Sequence, residues 1–473
     1  MMQSALLRTL CDAFFQSCCF VLPTFSYWRP RVQLFADPSA KLTPAQRVAR
    51  AAFVAVGART SNHSALLGIE LAPGDAGLAA GRRRENACRS FAQAALRANF
   101  EEGLADQATS ENLASLLAAC QMCLFSELEP RKSRSLHRAS LAMFKELSEG
   151  AANAQALAEL KQTFGFAIYT TDGLISAYSR RVCSVSDSDL RTFFSQMGIV
   201  VPKLPGLELL PALKKLVGQT EALGRDQALR TALHLVQCWV TTAERTFARL
   251  MAPPEKTLVQ IEDGITGLWQ LVDHTREAIT YAQSVVAGSG THAHDHTHPH
   301  KGVHQDHDLD FGPRLIRLDR DLLDLFAMAW ASLKRLPRPG LPALEAEVES
   351  RVRRALRVQA CYAEEYCRGS DLHMVFHHFL QLEQHNPAWA RMALQSVGEG
   401  PTEQAEVCTE LERGMLVEGL ELMSFYSPMA ERRLAELVPR FEEQGQGRKM
   451  GPLGGVEVGG AGGGMGESTL GLC

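Results

Sequence analysis

Seven of the chain's 15 histidines fall between positions 292 and 307, in the run THAHDHTHPHKGVHQDH. Imidazole is a ligand for zinc, nickel and copper, so His292, His294, His296, His298 and His300 are the candidate metal ligands, with His304 and His307 beyond them. A defined site needs about four ligands held by a rigid second shell. Gly288-Ser289-Gly290 precedes the run and Pro299 interrupts it, so the sequence offers no such frame. The run reads as a solvated low-complexity insertion, with metal-responsive or metal-buffering activity as the alternative function. Zinc titration of the intact chain against one lacking 291–307 separates the two. Asp306-x-Asp308-x-Asp310 has the opening spacing of a calcium loop. Glycine then comes one residue late, at 312, and Arg317 stands where a bidentate glutamate is required, which excludes it.

Other chemistry-bearing residues are weaker. Cys120-x-x-Cys123 is a lone pair beside the apolar stripe of a helical segment, and reads as core rather than redox or zinc chemistry. Cys361 and Cys367 lack partners in the same way. Arg82-Arg83-Arg84 opens a helix, and the pattern predicts a solvated face given Glu101, Glu102 and Asp106 nearby; Arg180-Arg181 and Arg353-Arg354 read alike. Glu364-Glu365 has no matching acid or base. The sequence contains no GxSxG, HExxH, GxGxxG or phosphate-loop motif, which lowers the odds of an enzyme.

The elements around these residues are helical throughout. The 473 residues carry 49 Lys+Arg against 53 Asp+Glu, a net charge of −4 that argues against a dedicated nucleic-acid surface. Twelve cysteines, mostly among apolar residues, fit reduced and buried thiols rather than a disulfide framework. Leu6, Leu7, Leu10, Phe14 and Cys18 recur at helical spacing, and Arg8 and Asp12 break the apolar run. Ser4–Phe20 therefore reads as an amphipathic helix, not a secretory signal. No run has the ~18 apolar residues of a membrane-spanning helix, so the sequence predicts a soluble protein.

Thr43-Pro44-Ala45-Gln46 predicts a capping box opening a helix with Val48, Ala51, Ala52 and Ala55 on one face, ending near Gly57. A helix over about 82–102 is predicted to bury Cys88, Phe91, Ala95 and Phe100, with Gly103 as its stop. Ser110 is predicted to cap the next, whose stripe is Leu113, Leu116, Leu117, Cys120 and Leu124. Another follows Ser133, with Leu136, Ala139, Met143 and Leu147, and stops at Gly150. LAELKQTFGFAIYTTDGLISAYSRR, 157–181, is apolar over most of its surface, as central helices are, with Gly165 and Gly173 allowing close neighbours. Ser186 caps a short helix. Further helices are predicted at about 207–223, 225–250, 256–287, 314–335, 341–368, 371–382, 387–397, 402–426 and 428–443. No alternating strand run and no internal repeat is present.

The fold class is therefore all-α: one large multi-helix domain with its N-terminal part at 1–287 and its C-terminal part at 314–443. A His-rich loop at 288–313 and a Gly-rich tail at 444–473 read as disordered.

The segment LCDAFFQSCCFVLPTF at 10–25 resembles the opening of the fungal-specific transcription factor domain, the regulatory middle homology region of fungal zinc-cluster transcription factors. Phe14-Phe15 and Pro23-Thr24-Phe25 stand for its paired aromatics and proline turn. AFVAVGARTSNHSALLG at 52–68, RRRENACRSFAQAALRANFEEG at 82–103 and SENLASLLAACQMCLF at 110–125 resemble the helices that follow. AIYTTDGLISAYSRR at 167–181 and VSDSDLRTFF at 185–194 are similar to the central helix and the acidic-capped helix after it. The pattern resembles the version seen in basidiomycete sequences, and the likeness covers about 5–205.

The resemblance implies a regulatory domain, nuclear localisation, control of RNA polymerase II transcription, and partners among the transcription machinery or co-regulator proteins. It implies zinc and DNA contact only through a six-cysteine cluster that this sequence does not contain. Either the exon for that cluster is missing, or the chain regulates without its own DNA reader. A small-molecule effector would fit an apolar pocket between helices. Phe166, Tyr169, Leu174 and Tyr178 are the residues nearest such a pocket, or else plain core. No heptad run of useful length marks a dimer seam, so homodimerisation stays open.

Overall fold

The computed structural model describes residues 4–18, 27–61, 63–67, 78–125, 130–196, 209–218, 225–253 and 257–288, with Val417 and Ala435. Helix accounts for 87% of what is described and strand for none, so the protein is all-α as its periodicity indicates. The His-rich run, the Gly-rich tail and nearly all of the helices expected after 313 lie outside the described residues.

The helices are α1 (Ser4–Cys18), α2 (Val32–Ala36), α3 (Pro44–Thr60), α4 (Ser64–Leu67), α5 (Leu78–Glu101), α6 (Ser110–Phe125) and α7 (Pro130–Glu149). Then come α8 (Ala154–Leu160), α9 (Phe166–Ser179), α10 (Asp187–Gln196), α11 (Leu209–Gly218), α12 (Arg225–Met251) and α13 (Leu258–Gly288). A π-helical turn, Lys161–Gly165, joins α8 to α9. No helix of the described residues is long and apolar enough to cross a membrane.

Two helices organise the packing. The first is α3, which contacts α1, α5 and α6. Its capping box forms as the sequence predicts: Thr43 Oγ1 accepts from Gln46 N–H, and Gln46 Oε1 accepts from Thr43 N–H at 3.2 Å. The helix does not stop at Gly57 but runs on to Thr60. Gly57 serves another purpose, because a Cβ there would overlap the Leu10 carbonyl of α1. The second organiser is α9, which lies between α7 and α12 and is buried along most of its length. Gly165 and Gly173 act there as expected. A Cβ at Gly165 would sit 2.5 Å from the Phe193 ring, and one at Gly173 would sit 2.8 Å from Glu244 Oε2.

Helix ends follow local chemistry with some displacements. Gly103 takes the left-handed conformation, φ 59°, after α5. Gly150 ends α7 by donating its N–H to Glu146 O. The cap of α6 is Thr109 and not Ser110: Thr109 Oγ1 accepts from Asn112 N–H at 3.1 Å. Ser186 caps α10 through Asp189 N–H at 3.0 Å. The apolar face of α5 also differs from expectation. Cys88, Ala92, Ala95, Leu96 and Asn99 are buried, while Phe100 is 74% exposed. The inward stripe steps by three and four from Cys88, which reaches 99; Phe100 is rotated a further 100° off it.

Candidate functional site

The described residues bring chemical groups together most densely where α7, α9 and α12 meet. Asp172 lies in the middle of α9 and is 1% exposed. An ionised carboxylate at that depth is unfavourable unless its oxygens are satisfied. Oδ1 accepts from Ser184 N–H at 2.9 Å, and Oδ2 accepts from Val185 N–H at 3.0 Å and from Arg245 Nη1 at 3.1 Å. His137 of α7 brings Nε2 to 3.4 Å from Oδ1, within ion-pair range but outside the alignment of a hydrogen bond. Burial pushes the Asp172 carboxyl up. His137 and the Val185 and Ser184 N–H groups outweigh it, holding the acid below its ordinary value.

Arg245 extends this node outward. Its Nη2 donates to Val185 O at 2.7 Å and to Asp187 Oδ1 at 2.9 Å. Arg249, one turn on, donates to Asp187 Oδ2. Burial raises the Asp187 carboxyl too, and the two arginines with Arg191 more than reverse that. The connector from 180 to 186 is thereby tied to α9 and α12 through main-chain and side-chain groups. Gly173 makes the approach feasible, since a Cβ there would meet Glu244 and Thr241 of α12 within 3.2 Å.

A His–Asp pair is the orienting half of many catalytic dyads. Here His137 and Asp172 are each 1% exposed and Arg245 is 3% exposed, so a substrate has no direct access to them in this conformation. Cys183, in the same connector, is a weak nucleophile: burial pushes its thiol up to about 11, despite Arg245. The arrangement links three helices and a loop by charge; it does not present reactive atoms.

The other sequence-predicted residues fall elsewhere. Cys120 and Cys123 are buried in α6, as a core reading requires. Cys120 Sγ donates to Ser133 O at 3.3 Å, and burial pushes the Cys123 thiol up to about 12. Phe166 and Tyr169 belong to the core; Tyr169 stacks on Phe193 at 4.4 Å and Phe166 lies 4.5 Å from the His234 ring. Leu174 is half-buried, and the Tyr178 side chain lies outside the described residues.

The solvated reading of Arg82-Arg83-Arg84 holds for Arg83 but fails for Arg84, which is 1% exposed and donates to Ser61 O at 3.1 Å. Position 84 is four residues before Cys88 and so continues the inward stripe, a signal the charge of the side chain conceals. His292, His294, His296, His298 and His300 lie outside the described residues. Among the described residues no group of three or more His, Cys, Asp or Glu side chains is placed to hold a metal ion.

The sequence reading missed His137, Asp172 and Arg245 as a set. Its one available signal was an aspartate inside an otherwise apolar helix. No family model matches the chain, nor does any curated protein or solved structure.

Proposed function

We propose that this chain is a transcription regulator: an all-α regulatory domain of the fungal-specific transcription factor type, acting in the nucleus on RNA polymerase II transcription. It works by packing and partner contacts rather than by catalysis. The observation that carries the reading is the order of helices. Helices at 4–18, 44–60, 78–101, 110–125, 166–179 and 187–196 overlap the resembling segments in the same order, and their buried residues belong to one core. The charged node adds support, because its polar atoms are used in holding helices together. This sequence contains no zinc cluster, so DNA is reached through such a cluster elsewhere or not by this chain itself, and the direct partners are co-regulator proteins or the transcription machinery.

The test is a reporter assay with the whole chain fused to an unrelated DNA-binding domain in a fungal host. The fusion is expected to raise or lower reporter output relative to the DNA-binding domain alone. An intact, nuclear fusion that leaves output unchanged overturns the proposal. The chain without a fusion partner is expected to give no sequence-specific, salt-sensitive complex with duplex DNA.

A further inference from the structure

The surface beside the charged node is built to hold positive charge outward. Arg134 of α7 is committed to the scaffold, with Nη1 donating to Ser179 Oγ at 3.1 Å and Nη2 to Val182 O at 2.7 Å. It clamps α7 onto the exit of α9. Arg138 follows one turn later on α7 and is exposed, as are Arg180 and Arg181 after α9. Arg138 and Arg181, both exposed, are close enough to Arg134 to oppose its charge, while Asp172 and Cys183 favour it. That carboxylate is already satisfied by Arg245 and two N–H groups, so the outer field is positive.

Two further observations concern the same few residues. Val182 is 56% exposed, one of three large hydrophobic residues that are exposed among the described residues. Arg180 adopts φ 50°, the one non-glycine residue among those described in the left-handed region. It occupies the helix-ending position that glycine ordinarily fills, with Arg181 N–H closing onto Ser176 O at 3.1 Å. Backbone strain of this kind is concentrated at functional positions. Here it ends α9 just before the exposed Arg181 and Val182, and the Val182 carbonyl is held by Arg134, one turn before Arg138 on α7.

We propose that Arg138, Arg181 and Val182 form a docking surface for a partner protein's acidic segment, one that carries an aliphatic side chain among its carboxylates. The guanidiniums take the carboxylates and the valine takes the aliphatic group. A nucleic acid fits less well. The chain is net negative at −4, and the exposed large hydrophobic of this surface is an aliphatic residue with no ring on which a base would stack. The surface belongs to the fold, so its occupancy is measured on the purified chain whether or not the reporter result supports transcription.

The experiment is fluorescence polarisation of the full chain with a labelled peptide of aspartate and glutamate around one leucine. Binding is expected to be saturable and to weaken with salt. Arg138→Glu with Arg181→Glu is expected to weaken it about tenfold, the loss that follows when two attractive charge contacts become repulsive. Val182→Ser is expected to weaken it about threefold, in line with one partly buried aliphatic contact. Arg83→Glu, exposed on α5, is expected to change nothing. Circular dichroism and melting establish that each variant folds; should the double reversal unfold the chain, Arg138→Gln with Arg181→Gln replaces it. Four results overturn the proposal: no binding by the unaltered chain, equal binding of an asparagine/glutamine version of the peptide, equal binding by the arginine variants, or tighter binding of duplex DNA at the same arginines.

Discussion

Around Phe53 the interior is carbon, whereas around Asp172 it is charge. Phe53 stacks on Phe14 at 4.4 Å and meets Phe15 at 5.0 Å, Phe35 at 5.1 Å and Trp28 at 6.4 Å, drawing α1, α2 and α3 together. Such contacts are non-directional and scale with the area removed from water. The Asp172 node joins α7, α9, α12 and the 180–186 connector through a few bonds of fixed direction. Removing one ring leaves a cavity; removing the Asp172 carboxylate leaves donors inside the fold without their acceptor. The first region sets how much the fold is stabilised, and the second sets which helices and loop face one another. The regulatory role proposed above would rest on the second kind of control, because specific partner surfaces depend on helix register more than on gross stability.

The sharpest test of this contrast is Asp172→Ala. It is expected to destabilise the chain by about 3–5 kcal/mol, because Arg245 would lose its buried counter-charge and the Ser184 and Val185 N–H groups their acceptor. Chemical denaturation measures it, and a loss below about 1 kcal/mol would remove the distinction between the two interiors. Phe53→Ala is expected to cost a similar ~3–5 kcal/mol by cavity formation. The two differ in their response to acid. Asp172 and Asp187 are held below the ordinary carboxylate value in the folded protein. Their contribution is therefore complete above about pH 4 and is lost as pH falls through the lower folded values. Denaturation followed across that range is expected to keep the natural acid slope in Phe53→Ala and to flatten in Asp172→Asn with Asp187→Asn.

Smaller effects refine the comparison. Gly57→Ala forces a methyl against the Leu10 carbonyl, which is backbone and yields little, so a loss of about 1–3 kcal/mol is expected by thermal melting. A neutral result would mean that α1 and α3 can slide apart without cost. Arg180→Gly relieves the left-handed strain and is expected to gain about 0.5–1 kcal/mol. A loss instead would mean that the Arg180 side chain itself stabilises the folded state.

Much of the architecture was legible residue by residue. The Thr43–Gln46 capping box, the Gly103 and Gly150 stops, the Ser186 cap and the close approach at Gly165 and Gly173 all depend on neighbours in sequence or on the absence of a side chain. Beyond the later end of α3, three local readings were displaced. Thr109 outcompetes Ser110 as a cap, because its hydroxyl accepts from the N–H three residues on. Phe100 turns outward because helical geometry, not hydrophobicity, decides which residues share a face. Arg84 turns inward because a main-chain carbonyl, Ser61 O, is there to receive it. The charged node was legible only as an aspartate inside an apolar helix. Arg245 and Asp172 are 73 residues apart, and no spacing rule joins them.

The sequence by itself determined that this protein is all-α, where most of its longer described helices begin and end to within a few residues, and which small residues let them touch. Those properties come from the 3.6-residue period, capping chemistry and side-chain size, which act within a turn or two of the chain. Only the tertiary structure decided that Asp172 would be satisfied by Arg245 and two loop N–H groups, that Arg84 would be core, and that Arg138, Arg181 and Val182 would share a surface. Burial changes the free energy of a charge only once distant helices have excluded water from it, and that exclusion is a property of the packed molecule.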